Sequence, residues 1–232
     1  MNRILIFAVI ALSLIGASAL AVTQPNVLVI VADDMGYHDV GFQGCKDIPT
    51  PNIDRIATEG VRFSNGYVSA AMCSPSRAGL LTGIYQQRFG HENNESLQGA
   101  NQGMDTRVKT LADHLHSSGY ATGWVGKWHL GEAPRYQPQR RGFDDTFGFL
   151  WGMRSYFPLK DANAQARDRR LYRNGVVLPE EDGYLTDVFG REACAFIERH
   201  AEKPWFLYLA FNAPHTPMDA KDVALARFSH IA

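Results

Sequence analysis

The sequence predicts an α/β fold with a mostly parallel central sheet flanked by helices, and three observations carry that prediction. Two runs, NVLVIVA at 26–32 and PWFLYLAF at 204–211, are apolar without polar alternation, the pattern of strands covered on both faces. Stretches with helical spacing separate such runs. Several strand segments also release the chain directly into a polar, turn-rich motif. In open parallel sheets, ligands bind beyond the carboxyl ends of the strands.

The elements follow in order. Residues 1–21 open with Arg3, continue as an apolar run over 4–15 and end in the two A-x-A signals 17–19 and 19–21. This reads as a secretory signal peptide. A retained anchor is the other reading, but the run is short against the roughly 20 residues that a membrane span needs. The mature chain, 22–232, is thus expected to be exported, periplasmic or secreted, with no membrane attachment after cleavage. Export permits disulfides, yet Cys45, Cys73 and Cys194 are an odd number, and whether Cys45 pairs with Cys194 stays open.

The strand at 26–32 stops at Asp33-Asp34-Met35-Gly36. TPNIDRIATEG reads as a helix, with Thr50 as cap, Pro51 in its first turn and Gly60 at its exit. VRFSNGYVS at 61–69 is a second strand candidate that runs into Cys73. Val108, Leu111, Ala112 and Leu115 follow helical spacing and Gly119 ends that helix. YATGWVG at 120–126 is a short strand leading to Lys127-Trp128-His129. Residues 154–183 read as an exposed excursion with an Asn174-Gly175 hairpin turn. A helix through Leu185, Val188, Phe189, Phe196 and Ile197 precedes the strand at 204–211, which ends at Asn212-Ala213-Pro214-His215-Thr216-Pro217.

With 23 basic and 24 acidic residues, the formal charge is −1 and there is no Lys/Arg run. That argues against nucleic acid or an anionic membrane surface as partner. Four motifs remain that can carry chemistry. Asp33-Asp34 offers only hard oxygen donors, suited to Ca²⁺ or Mg²⁺, or is a solvated turn after a strand. Cys73 precedes Ser74 and Pro75, which can cap and start a helix. An anionic atom at position 73 would then be favoured by the helix amino terminus and by Arg77 one turn on, or Cys73 is a small buried thiol. Lys127 and His129 alternate along an extended segment and project to one side; the lysine can hold an oxyanion and the histidine can move a proton. His215, stiffened by the prolines around it, is a proton donor or a loop histidine. His38, His91, His114, His116, His200 and His230 have no comparable setting, and among them only His91 is singled out for testing. Arg154, Tyr156 and the cluster from Arg167 to Arg173 either meet an anionic sugar or form a charged surface hairpin.

Taken together, these motifs resemble the sulfatase family, formylglycine-dependent, arylsulfatase-like sulfuric ester hydrolases of the alkaline phosphatase superfamily. CSPSRAGLLTG matches the signature Cys-x-Pro-Ser-Arg followed by Leu-Leu-Thr-Gly. PNVLVIVADDMGYHDVG, TPNIDRIATEGVRF, GKWHLG and APHTP are similar to further family blocks, in family order, across 25–217. The resemblance implies an alkaline-phosphatase-like fold and a sulfate ester substrate, a sulfated carbohydrate or an aryl sulfate. It implies that a formylglycine-generating enzyme, a partner during maturation, oxidises Cys73 to formylglycine. Asp33, Asp34 and residue 73 would hold Ca²⁺, with Mg²⁺ second. Arg77 would steady the hydrated aldehyde that attacks sulfur. Lys127 and His215 would assist the leaving oxygen, and His129 would take the proton that releases sulfate.

Family members add a further strand ended by Asp-Asn or Asp-His, a further lysine and a small carboxy-terminal domain. Residues 22–232 are therefore expected to be the N-terminal portion of a catalytic domain, incomplete at its carboxy-terminal end. Two alternatives stand beside this reading: a phosphate or phosphonate ester hydrolase of the same superfamily, and an inactive truncated fragment that binds a sulfated glycan without turnover.

Overall fold

The structure, a computed structural model, describes residues 24–94, 102–158, 170–179 and 183–231. The leader at 1–21 and Arg167 lie outside the described residues. Six strands form one sheet: β1 (Val27–Asp33), β2 (Ala121–Lys127), β3 (Asp145–Phe149), β4 (Tyr172–Arg173), β5 (Val176–Val177) and β6 (Trp205–Pro214), in the spatial order β1-β6-β2-β3-β4-β5. The first four in that order are parallel, and β4 and β5 add an antiparallel hairpin at one side. The helices are α1 (Pro51–Glu59), α2 (Cys73–Thr82), α3 (Leu111–Ser117), α4 (Leu185–Arg199) and α5 (Asp222–Arg227). Among the described residues no helix is long and apolar enough to cross a membrane.

The continuous apolar run of β6 makes sense at the centre of this sheet. Phe206, Tyr208 and Ala210 face one layer with Trp124, Trp128, Phe143 and the Ala78 and Leu81 face of α2. Trp205, Leu207 and Leu209 face the other, packed on Val188, Phe189, Ala193 and Phe196 of α4. A strand covered by helices on both faces has no polar side to show.

Four local expectations are corrected. The run at 26–32 is not buried on both faces: it forms the sheet edge, and Leu28 and Ile30 are 42% and 51% exposed, because among the described residues nothing packs over that side. Residues 61–69 form no strand. None of the six strands takes this segment as a neighbour, and a strand without a partner leaves its backbone groups unpaired; Val61, Phe63, Tyr67 and Val68 are all exposed. β3, with residues DTFGF, escaped the sequence reading: it is a five-residue strand whose Thr146 to Phe149 are all buried. Helix α3 begins at Leu111 rather than at Val108, since Thr110 and Asp113 form a capping box that sets its start. The Asn174-Gly175 hairpin is present, with both residues at positive φ, 49° and 81°, as a two-residue turn of this kind requires. All three cysteines are free thiols, so Cys45 and Cys194 are unpaired.

Near the carboxyl end of β2 the backbone leaves no room for a side chain. A Cβ on Gly126 would lie 2.0 Å from the Ala210 carbonyl oxygen of β6, and Gly126 has φ +116°. Only glycine fits there, one residue before Lys127. Gly126→Ala is expected to lower stability by about 3 kcal/mol or more, through backbone strain and backbone displacement together. Urea unfolding monitored by tryptophan fluorescence measures this, and an unchanged midpoint would show that β2 and β6 can separate here without cost.

Candidate active site

Asp33, the last residue of β1, is the hub of the site. The β1–β6 register slips between Val31 and Asp33, so that Asp33 aligns with Pro214. Its Oδ1 lies 3.2 Å from an Arg77 guanidinium nitrogen and its Oδ2 accepts from Lys127 Nζ at 2.5 Å. Arg77 also donates to the Lys127 carbonyl at 2.9 Å and to the Tyr208 hydroxyl at 3.4 Å. All three charged side chains are buried, Lys127 completely. Burial, and then the Arg77 charge, hold the Lys127 ammonium below the ordinary lysine range, against the pull of Asp33.

Cys73 is the first residue of α2, whose N-cap is Met72 rather than Ser74. Ser74 does not cap. Its Oγ lies 2.6 Å from the His129 carbonyl oxygen and 2.8 Å from His91 Nε2. The Asn94 side-chain oxygen accepts from the Ser74 backbone N–H at 3.1 Å and from Cys73 Sγ at 3.7 Å. The half-buried Cys73 is an electrostatic neighbour of both Arg77 and Lys127. Asp33, Asp34, Cys73 and Arg77 line one cleft of about 680 Å³.

His129 lies beyond the end of β2 in the left-handed region, φ +59°, so the strand alternation that would place it beside Lys127 does not reach it. Its ring packs against Gly152, where a Cβ would fall 2.6 Å from Nε2. Neither ring nitrogen has a hydrogen-bond partner among the described residues, although both are buried. Burial, reinforced by the Lys127 and Arg77 charges, pushes the imidazole down to about 2. His91, also buried, is pushed down to about 4 by burial. Both rings are therefore neutral near pH 7.

Asp34 shares the left-handed φ of +59° and is largely exposed, with Oδ2 3.5 Å from His215 Nε2. His215 Nδ1 donates to the Thr216 carbonyl at 2.7 Å, which turns Nε2 toward Asp34. The histidine loop is held from behind: the Tyr156 hydroxyl lies 2.9 Å and 2.8 Å from the carbonyls of Asn212 and His215, and Asn212 donates to the Arg154 carbonyl at 3.3 Å. Tyr156 and Arg154 are thus buried supports of this loop, not open contacts for a sugar. Arg173 pairs with Glu192 at 2.7 Å.

The structure therefore gathers Asp33, Asp34, Cys73, Arg77 and Lys127 by contact or along one cleft, joins His129 to the Cys73 turn through Ser74, and joins His215 to Asp34. Ser74, His91, Asn94 and Gly152 are additions that the sequence reading did not place here. Asp33 and Asp34 fit a hard divalent cation in kind, both being carboxylates. They do not fit it in number: no group of three or more His, Cys, Asp or Glu among the described residues could hold a metal. Both Asp33 oxygens already face cations.

The Sulfatase family model matches residues 25–230. The arylsulfatase of Klebsiella aerogenes is 37% identical, over 98% of this chain and 51% of that protein. The human N-acetylgalactosamine-6-sulfatase is 38% identical, over 88% of this chain and 42% of that protein. Among solved structures, Ps i-CgsB in complex with k-i-k-neocarrahexaose superposes with a TM-score of 0.86 at 43% identity, covering 90% of this chain and 49% of that one. BT4656 in complex with D-glucosamine-2-N,6-O-disulfate superposes with a TM-score of 0.74 at 30% identity, covering 90% of this chain and 38% of that one. The chain thus spans about half the length of the relatives it matches. Its sheet and flanking helices are those of the alkaline-phosphatase-like sulfatases. With the family model covering nearly all described residues and a relative 37% identical over 98% of the chain, the chain belongs to the sulfatase family.

Proposed function

We propose that this site hydrolyses sulfate esters and that its substrate is a sulfated carbohydrate. The observation that supports this most is the placement of Arg77 and Lys127: two buried cations share one carboxylate beside Cys73, which leaves positive charge for an anionic substrate. The carbohydrate class rests on relatives solved in complex with k-i-k-neocarrahexaose and with D-glucosamine-2-N,6-O-disulfate.

In this reading Cys73 is converted to formylglycine by a formylglycine-generating enzyme, and that group supplies the nucleophile. Asp33 and Asp34 would be two of the oxygen donors to a divalent cation, Ca²⁺ ahead of Mg²⁺, and the set is completed only by donors beyond these two. The remaining steps belong to the chain's own side chains. Arg77 and Lys127 bind and orient the sulfate. His129, neutral and with bare ring nitrogens, accepts a proton. His215, its Nδ1 committed to Thr216, presents Nε2 for the leaving oxygen. Residues 22–232 would serve as the N-terminal portion of the catalytic domain, exported to the periplasm or medium after removal of the leader at 1–21. A second reading, binding of a sulfated glycan without turnover, is favoured by the two-carboxylate metal set; phosphate or phosphonate ester hydrolysis is the third.

Three experiments separate these. Parallel assays with an aryl sulfate and an aryl phosphate are expected to show sulfate release in preference, with mass spectrometry finding the aldehyde at position 73. An unmodified thiol in protein that releases sulfate would overturn the formylglycine reading. His129→Ala is expected to reduce kcat by about 10²–10⁴-fold, and unchanged turnover would remove His129 from proton transfer. Calcium is expected to raise the melting temperature of the wild type and not of Asp34→Asn; an equal rise in both would place the ion elsewhere.

A further inference from the structure

We propose that residues 90–94 are a positioning clamp for the active site, in which His91 fixes the backbone of His129 through Ser74, and Asn94 fixes residue 73. The inference rests on the reading above that His129 takes part in proton transfer.

The chain of contacts is closed and buried. Ser74, His91 and His129 are each 2% exposed or less. The Ser74 hydroxyl has one proton, and the His129 carbonyl can only accept. Ser74 therefore donates to that carbonyl at 2.6 Å and accepts from His91 Nε2 at 2.8 Å, which fixes the proton of His91 on Nε2. His91 is itself anchored: its N–H donates to the Gln86 carbonyl at 3.0 Å.

This link matters because nothing holds the His129 ring directly. Both of its nitrogens lack partners among the described residues, so its aim is set by packing and by its backbone. That backbone is at φ +59°, a conformation a non-glycine residue keeps only when its surroundings over-determine it. Two bonds do so: the His129 N–H donates to the Leu150 carbonyl at 3.1 Å, and the His129 carbonyl accepts from Ser74. His91 orients the hydroxyl that makes the second. Asn94, three residues on, bonds both Cys73 Sγ and the Ser74 N–H through one oxygen. One short segment thus sets the relative position of residue 73 and His129, which come from different elements.

His91 and Ser74 are positioning residues, and the test reads position as well as rate. The ring ¹⁵N and ¹H resonances of His129 are to be compared in wild type, His91→Ala, Ser74→Ala and His91→Gln, alongside kcat and KM for an aryl sulfate and the melting temperature of each variant. His91→Ala and Ser74→Ala are expected to move the His129 resonances and to cut kcat by about 10–100-fold with KM within about twofold, as a small misplacement of a reacting group does. His91→Gln, whose side-chain amide can donate to Ser74, is expected to restore most of both. His129 resonances unmoved in His91→Ala and Ser74→Ala would overturn the clamp; should His91→Ala fail to fold, Ser74→Ala decides alone. If the wild type releases no sulfate, the functional reading falls while the resonances still decide the clamp.

Discussion

One carboxylate with two cations organises this molecule. Asp33 ends β1, Lys127 ends β2 and Arg77 lies in the first turns of α2, and the three meet with almost no solvent. Burying an ion costs several kcal/mol unless charge and hydrogen bonds compensate it. Here compensation is partial, since one negative charge serves two positive ones. Lys127 registers the imbalance: burial and Arg77 lower its proton affinity more than Asp33 raises it. A core carrying unbalanced positive charge is poorly explained as a stabilising device. In the function proposed above, an arriving anion supplies the missing charge.

The sheet topology makes that meeting possible. β1 and β2 are not neighbours; β6 runs between them, and all three are parallel. Their carboxyl ends therefore open on one rim, where Asp33 aligns with Pro214 and the His215 loop follows directly. At Gly126 the Ala210 carbonyl occupies the place that a side chain would take. A side chain at Gly126 would push β2 off β6 beside the residue that must reach Asp33.

Much of this was legible in the sequence, and the reason is local. The strands declare themselves by apolar runs, and each run ends where its motif begins, so Asp33, Asp34, Lys127 and His215 could be assigned to one rim from order alone. Ser74 could not be assigned correctly. A serine before a proline reads as a helix cap, whereas its hydroxyl is taken by groups 17 and 55 residues away. His91 was singled out for testing but given no role for the same reason: its role depends on a partner distant in sequence. The strand expected at 61–69 failed in the opposite way. Its composition was right, but β propensity is a fit to a neighbour, and no strand here supplies one.

Local strain marks the same rim. Among the described residues three non-glycine positions have positive φ; Asn174 belongs to the hairpin turn, Asp34 lines the cleft, and His129 is buried just beyond the carboxyl end of β2. His129 adds a second cost, a buried imidazole whose two nitrogens have no hydrogen-bond partner among the described residues. Unpaired buried polar groups are destabilising, and a residue under both burdens is held there by the rest of the fold. What results is an imidazole that Lys127, Arg77 and burial keep unprotonated near neutral pH, with its lone pair free. One ring nitrogen therefore keeps an unprotonated lone pair near neutral pH, which is what the proton transfer proposed above requires.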